Sequence, residues 1–338
     1  MSHVDARQGV GHATFANNPT HVKPAIGAAP SRSSPRHVFC LKNPRHENFT
    51  PVYSLKPQHL PAPYDQDPRW VSMLQARADD TVKLRVNYTS PARPDAFKCR
   101  DGSGAGVVRH GTGTAFWTRL LSSRMRCPFP DCTVGGSRDH DVYGPFRVVT
   151  VAHLVYNEEE ANCTTVEFFD DDPDDRSSVC RAQVTGLIRE PMESDRCILI
   201  CVTHDPTIPE RLERSCTQRN ELLQQLQEPD ERGMCVLISH PHGMSKRISV
   251  GRLLNVEEQG PVKRTKDCQM LLRDCRLVYS TPSCMGSGGG SVTLWCRGKR
   301  AFAPHCRTLG EDRNQSALGW ISVPENRENG PSNRVPKN

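Results

Sequence analysis

Residues 1–70 sustain no alternation of hydrophobic and polar positions. Pro, Ser, His and Asn dominate, most plainly in Pro30-Ser-Arg-Ser-Ser-Pro-Arg36, a composition that builds no core of its own. They are read as a disordered or loosely packed arm. Beyond Trp70 the pattern changes. In Thr81–Tyr88, Val82, Leu84, Val86 and Tyr88 alternate with polar residues, which predicts a half-buried strand. Strands are also predicted at 111–117, 146–151, 165–169 and 181–188, and the continuous apolar run 197–202 reads as a buried strand. Between Pro206 and Gln227 the period lengthens: Leu212, Cys216, Leu222, Leu223 and Leu226 stand among charges, which predicts a surface helix linking two halves. Strands resume at 234–240, 248–254, 275–279, 292–295, 301–306 and 316–322. Two groups of short strands separated by turn residues predict an all-β fold of two antiparallel barrels. The first spans 71–205, the linking helix 206–230 and the second barrel 231–322, with a disordered tail over 323–338.

Composition sharpens this picture in two places. The 338 residues include 27 prolines and are only 36% hydrophobic, with a mean hydropathy of −0.59. These values fit an ordered centre diluted by polar ends. The net charge is +6, but 44 basic residues are interleaved with 38 acidic ones, so no basic stripe of the nucleic-acid-binding kind is expected. No apolar run reaches the ~18 residues of a membrane-spanning helix, and the first residues lack the apolar stretch of a secretory leader. Fifteen cysteines, an odd number, are read as mostly reduced thiols in a cytoplasmic protein.

Three residue clusters invite a metal. Cys127, Cys132 and His140 offer three zinc ligands, but the four-residue gap is loose and no fourth ligand is evident in sequence, so a proline-pinned hairpin is the reading. The acidic run 170–175 lacks the Gly and terminal Glu of a calcium loop and is read as a solvated turn. His240 and His242 bracket a turn and are assigned to loop or core hydrogen bonds. No metal and no cofactor is expected, and His110 and His204 have no context of their own.

The chemistry gathers on Ser280-Thr-Pro-Ser-Cys-Met-Gly-Ser-Gly-Gly-Gly-Ser-Val292, a glycine-rich loop between two strands. Such a loop turns backbone N–H groups toward one point, as an oxyanion or phosphate requires. A phosphate loop would need Lys followed by Ser or Thr and a helix, which are absent here. The stretch resembles the nucleophile loop of chymotrypsin-like serine peptidases, Gly-x-Ser-Gly-Gly-Pro after a Cys. Val149-Thr-Val-Ala-His-Leu-Val155 resembles that family's Thr-Ala-Ala-His motif, and Glu193-Ser-Asp-Arg-Cys-Ile-Leu-Ile200 its Asp before an apolar strand. The order His153, Asp195, glycine loop is the family's order, over roughly residues 80 to 322.

The resemblance implies two six-stranded barrels and a triad of His153 as base, Asp195 as its orienting carboxylate, and a nucleophile on the loop. Laid on the pattern without a gap, Cys284 and Gly286 agree, but Gly288 falls at the nucleophile position and Ser287 one residue before it. Two readings stand. In the first, the site is degenerate: Gly286 and Gly288 supply oxyanion N–H groups, and the protein binds a peptide or protein in the cleft. In the second, the loop is rebuilt, Ser287 attacks, and the protein is an endopeptidase. The glycine favours the first, because a one-residue shift moves the backbone by about 3.8 Å while catalytic geometry tolerates roughly 1 Å. Pro282 stands where trypsin-like members carry an acid, so no preference for Lys or Arg is implied. His305 is expected to shape the same pocket. Activation by a cleaved N-terminus is not expected, since Ser287 replaces its acidic partner.

Overall fold

The computed structural model describes residues 40–97, 102–117, 123–129, 132, 134, 140–227, 233–265, 270–296, 299–310 and 312–323. All of them lie within one unit, residues 34–338. Strand β1 (Thr50–Pro51) and helix α1 (Arg69–Ala78) precede the first barrel. That barrel consists of β2 (Thr81–Thr89), β3 (Gly104–Phe116), β5 (Asp141–Val151), β6 (Thr164–Phe168), β7 (Cys180–Arg189) and β8 (Arg196–Thr203). The hydrogen-bonded order β3-β2-β6-β7-β8-β5 is closed by pairing of β5 with β3, and β4 (Ser123–Arg126) adds to the edge at β5. A short helix, α2 (Glu158–Asn162), precedes β6. The alternation read at Thr81–Tyr88 places Val82, Leu84 and Val86 fully inside, against Phe146, Val148, Phe168 and Leu199.

Helix α3 (Thr207–Gln225) links the halves as predicted, with Ile208 and Leu212 buried. The second barrel comprises β9 (Met234–Ser239), β10 (Arg247–Arg264), β11 (Leu271–Tyr279), β12 (Ser291–Cys296), β13 (Lys299–Gly310), β14 (Arg313–Ser316) and β15 (Gly319–Ser322). Its order is β10-β9-β12-β13-β14-β11-β15, and further pairings of β10 with β11 and of β13 with β15 close the ring. Cys235, Leu237, Leu277, Tyr279, Val292 and Leu294 form its core. All strand pairings are antiparallel, so the all-β, two-barrel expectation holds.

Two expectations need correction. Residues 1–39 lie outside the described residues, but the rest of the arm is packed rather than loose. Val52, Leu55, Leu60 and Tyr64 are buried with Trp70, Met73 and Leu74 of α1 against Met234, Val236, Ile238 and Trp295 of the second barrel. The Tyr64 hydroxyl donates to the Trp295 carbonyl at 2.7 Å. Its apolar residues are spaced by prolines into short turns, so no period of 2 or 3.6 announced them. The acidic turn is also not wholly solvated. Asp170 is buried against Lys83, and Asp171 accepts from Lys246 Nζ at 2.8 Å and Arg211 Nη2 at 3.1 Å. Its first two carboxylates thus pair cations from both halves of the chain.

Candidate active site

His153 stands in the turn after β5 and Asp195 just before β8, and the pairing of those two strands brings them together. The His153 backbone N–H donates to Asp195 Oδ1 at 3.0 Å, and its ring Nδ1 lies 2.7 Å from Asp195 Oδ2. A carboxylate accepting at Nδ1 keeps that proton in place and leaves Nε2 as the basic atom. Burial pushes the Asp195 carboxyl up, but the hydrogen bonds from His153 and Cys306 outweigh it, and the net shift is downward. The Cys306 Sγ donates to the same Oδ2 at 3.0 Å. Burial and the neighbouring carboxylate push that thiol far up, so it acts as a donor and not as a thiolate nucleophile. Asp195 adopts a left-handed conformation, φ 47°, a local strain held by the turn before it.

The glycine loop comes from the second barrel and is fastened to the first by Thr112 of β3. The Thr112 N–H donates to the Gly288 carbonyl at 2.8 Å, and its hydroxyl donates to the Gly286 carbonyl at 2.8 Å. The Met285 carbonyl accepts from His242 N–H at 2.6 Å, and the Ser287 carbonyl from Gly290 N–H at 2.9 Å. In a trans peptide the N–H points opposite to the carbonyl. The N–H groups of Gly286 and Gly288 therefore point away from those two partners, and among the described residues neither meets an acceptor. Two preset N–H donors of this kind can hold a carbonyl oxygen, an oxyanion or a carboxylate. Gly289 cannot be another residue. Its φ is +82°, and a Cβ there would overlap the Thr112 carbonyl.

The site residues named from sequence fall in distinct places. A Cβ on Gly288 would stand 3.2 Å from His153 Nε2, so residue 288 is the one whose side chain faces the base. Ser287 is fully buried. Its hydroxyl lies 3.0 Å from the Ser239 hydroxyl and accepts from Cys284 N–H at 3.3 Å, away from the imidazole that would activate it. His305 on β13 is buried, with Nδ1 2.6 Å from the Tyr279 hydroxyl. Burial, then the charges of Lys42 and His153, lower its pKa to about 3, so it is neutral at physiological pH. Pro282 is half-buried, and its carbonyl accepts from Ser249 Oγ at 2.7 Å.

Sequence reasoning missed three participants. Cys306 directly follows His305, and the strand assignment alone places it on the opposite face. Thr112 lies in an alternating Gly-Thr-Gly-Thr run, a signal for close backbone approach that went unused. Lys42 carried no signal, because it reaches the second barrel from the arm. Its Nζ donates to Ser283 Oγ at 2.8 Å, Thr308 Oγ1 at 2.6 Å and Asn314 Oδ1 at 3.3 Å.

Among the described residues, histidines and cysteines also converge in two sets apart from this dyad. Cys127, Cys132 and His140 are joined by His204, and Cys40, His46, His242 and Cys284 form a second quartet. His204 follows β8, which lies beside β5 in the sheet, whereas 64 residues separate it from His140 in sequence.

No family model and no curated protein matches the chain. Among solved structures it is similar to a protease of M. tuberculosis in its active form, with 16% identity over 74% of this chain and 78% of that one, at a TM-score of 0.36. It is also similar to a serine endoprotease of Yersinia pestis, with 9% identity over 73% of this chain and 61% of that one, at a TM-score of 0.35. An HtrA-type protease with a tripeptide gives 10% identity, 76% and 60% coverage, and a TM-score of 0.32. Two antiparallel rings, with His153 and Asp195 on the first and a glycine loop from the second closing over them, have the chymotrypsin-like two-barrel architecture.

Proposed function

We propose that this is a peptidase-fold protein without covalent catalysis, which binds a peptide or protein segment in the cleft between its barrels. The observation that carries the reading is the position of residue 288. The side-chain position facing His153 Nε2 belongs to Gly288, which offers no oxygen to attack a carbonyl. The rest of the machinery supports binding. His153 and Asp195 form a hydrogen-bonded pair, and the Gly286 and Gly288 N–H groups can donate to a backbone carbonyl or a chain-terminal carboxylate.

A fluorophosphonate probe on the folded chain, followed by peptide mapping, tests the loss of chemistry. No labelling is expected. Labelling at Ser287 that disappears in His153→Ala would overturn the proposal in favour of an endopeptidase using His153, Asp195 and Ser287. Binding is tested by retention on a peptide array, which plugging the cleft with Gly288→Leu should abolish. Equal retention by the plugged variant would place binding elsewhere on the molecule.

A further inference from the structure

We propose that the chain carries two structural zinc ions, one held by Cys127, Cys132, His140 and His204 and the other by Cys40, His46, His242 and Cys284. In each set the four ligand atoms all lie within 4.8 Å of one another. With Zn–S near 2.3 Å and Zn–N near 2.0–2.1 Å, a tetrahedron has edges of about 3.8 Å for S···S, about 3.6 Å for S···N and about 3.4 Å for N···N. In the first set, His204 Nε2 stands 3.5 Å from Cys127 Sγ, 3.4 Å from Cys132 Sγ and 3.0 Å from His140 Nε2. In the second, Cys40 and Cys284 Sγ are 3.6 Å apart. That is close to the tetrahedral edge and far from the roughly 2.03–2.05 Å of a disulfide. Two thiolates with two imidazoles in this geometry select zinc.

The topology explains how the first set assembles. β4 pairs with β5 through Arg126↔Asp141, and β5 with β8 through Tyr143↔Thr203. Cys127, His140 and His204 are the residues just past those ladders, at one end of three adjacent strands. Cys127 N–H donates to the His140 carbonyl at 2.9 Å, and Cys132 N–H closes a turn on the Phe129 carbonyl at 3.1 Å, which brings the second sulfur back to the first.

The second set has independent support. His46 and His242 both hold left-handed backbone, φ 55° and φ 54°, a cost of order 1–3 kcal/mol each that persists where something over-determines it. Their rings meet edge to face with centroids 5.0 Å apart. The two sulfurs accept N–H donors, Asn43 N to Cys40 Sγ at 3.4 Å and Asn43 Nδ2 to Cys284 Sγ at 3.0 Å, the arrangement that supports thiolate ligands. This ion would fasten the arm to the glycine loop. Cys284 lies two residues before Gly286, and His242 N–H holds the Met285 carbonyl. Both ions would be structural, whether or not the cleft is catalytic.

The full chain, expressed with zinc and purified under mild reduction, should contain two zinc ions per chain by elemental mass spectrometry. X-ray absorption at the zinc edge should show a four-coordinate shell of two sulfurs and two nitrogens on average. Cys132→Ser and Cys40→Ser should each lower the content to one, and the double variant to none. Should a variant unfold, titrating wild-type thiols with a mercurial supplies the same information. Zinc release should then track modification of Cys127 and Cys132 in one phase and of Cys40 and Cys284 in the other. Folded protein with no stoichiometric zinc, or an oxygen-rich six-coordinate shell, would overturn the inference. A Cys40–Cys284 disulfide in zinc-replete protein would overturn the second site alone.

Discussion

The Ser287 hydroxyl lies 3.0 Å from the Ser239 hydroxyl, inside the second barrel, while its neighbour, residue 288, faces the imidazole. Alternation along the loop thus sends consecutive side chains in opposite directions. Nucleophile chemistry is decided by which of the two carries oxygen.

Gly288→Ser should therefore install a nucleophile. The φ of Gly288 lies outside the left-handed region, and the atoms nearest a Cβ there are the tip of His153 at 3.2 Å and Val151 Cγ2 at 3.6 Å, so a small side chain fits after a shift of tenths of an ångström. The variant is expected to react with a fluorophosphonate at residue 288, at least 100-fold faster than wild type, on the scale general-base activation supplies. His153→Ala in that background should remove the gain. An unreactive, folded Gly288→Ser would mean that the dyad or the N–H pair is misplaced.

The barrels, the linking helix and the His153–Asp195 pair were legible because each leaves a local trace. Inward residues alternate in β2, the period changes in α3, and each dyad member sits beside an apolar strand. The glycine at 288 was legible too, as a break in an otherwise matching loop. Lys42, His204 and the packed arm were not. Lys42 meets Ser283 across 241 residues, and His204 meets Cys127 across 77. Contacts at that range are set by strand pairing and leave no periodicity in either segment.

Gly289→Ala should be among the most damaging single-methyl additions in the chain. The residue combines φ +82° with a Cβ path blocked by the Thr112 carbonyl and Thr150 Oγ1. Thr112 cannot retreat, since its carbonyl accepts from Thr150 Oγ1 at 2.7 Å and its hydroxyl from His240 N–H at 3.0 Å. A loss of about 2–4 kcal/mol in urea unfolding is expected, combining left-handed strain with overpacking. Gly310→Ala, where a Cβ meets open space, is the control and should change stability by less than about 0.5 kcal/mol.

Lys42 should act as a plug. Its ammonium has three donors, and all three have acceptors in Ser283, Thr308 and Asn314, two of them on β13 and β14 beside His305. Under the proposed peptide-binding reading, a long side chain entering beside His305 would displace it, losing charged hydrogen bonds worth about 1.5–3 kcal/mol. In the Gly288→Ser background, Lys42→Ala is thus expected to raise kcat/KM for esters with long side chains by about 10–100-fold. Esters of glycine, which leave the pocket empty, should change little. An equal gain for both would show that Lys42 acts outside the pocket.

His305 predicts a pH dependence of stability with a definite sign. Its folded pKa is lowered to about 3, by burial first and then by the charges of Lys42 and His153, whereas an unfolded histidine titrates near 6.5. Between those values the unfolded chain binds the extra proton, so the contribution is fully present above pH 6.5 and is lost as the pH falls toward 3. Each pH unit inside that window costs about 1.4 kcal/mol from this residue. His305→Asn keeps a hydrogen-bonding group near the Tyr279 hydroxyl, which meets His305 Nδ1 at 2.6 Å, but removes the titration. Wild type should lose about 2–3 kcal/mol more than the variant between pH 6.5 and pH 4.5, read from urea midpoints. Carboxylates elsewhere titrate equally in both proteins and cancel in the difference. Parallel curves would mean that His305 is solvated in the folded protein.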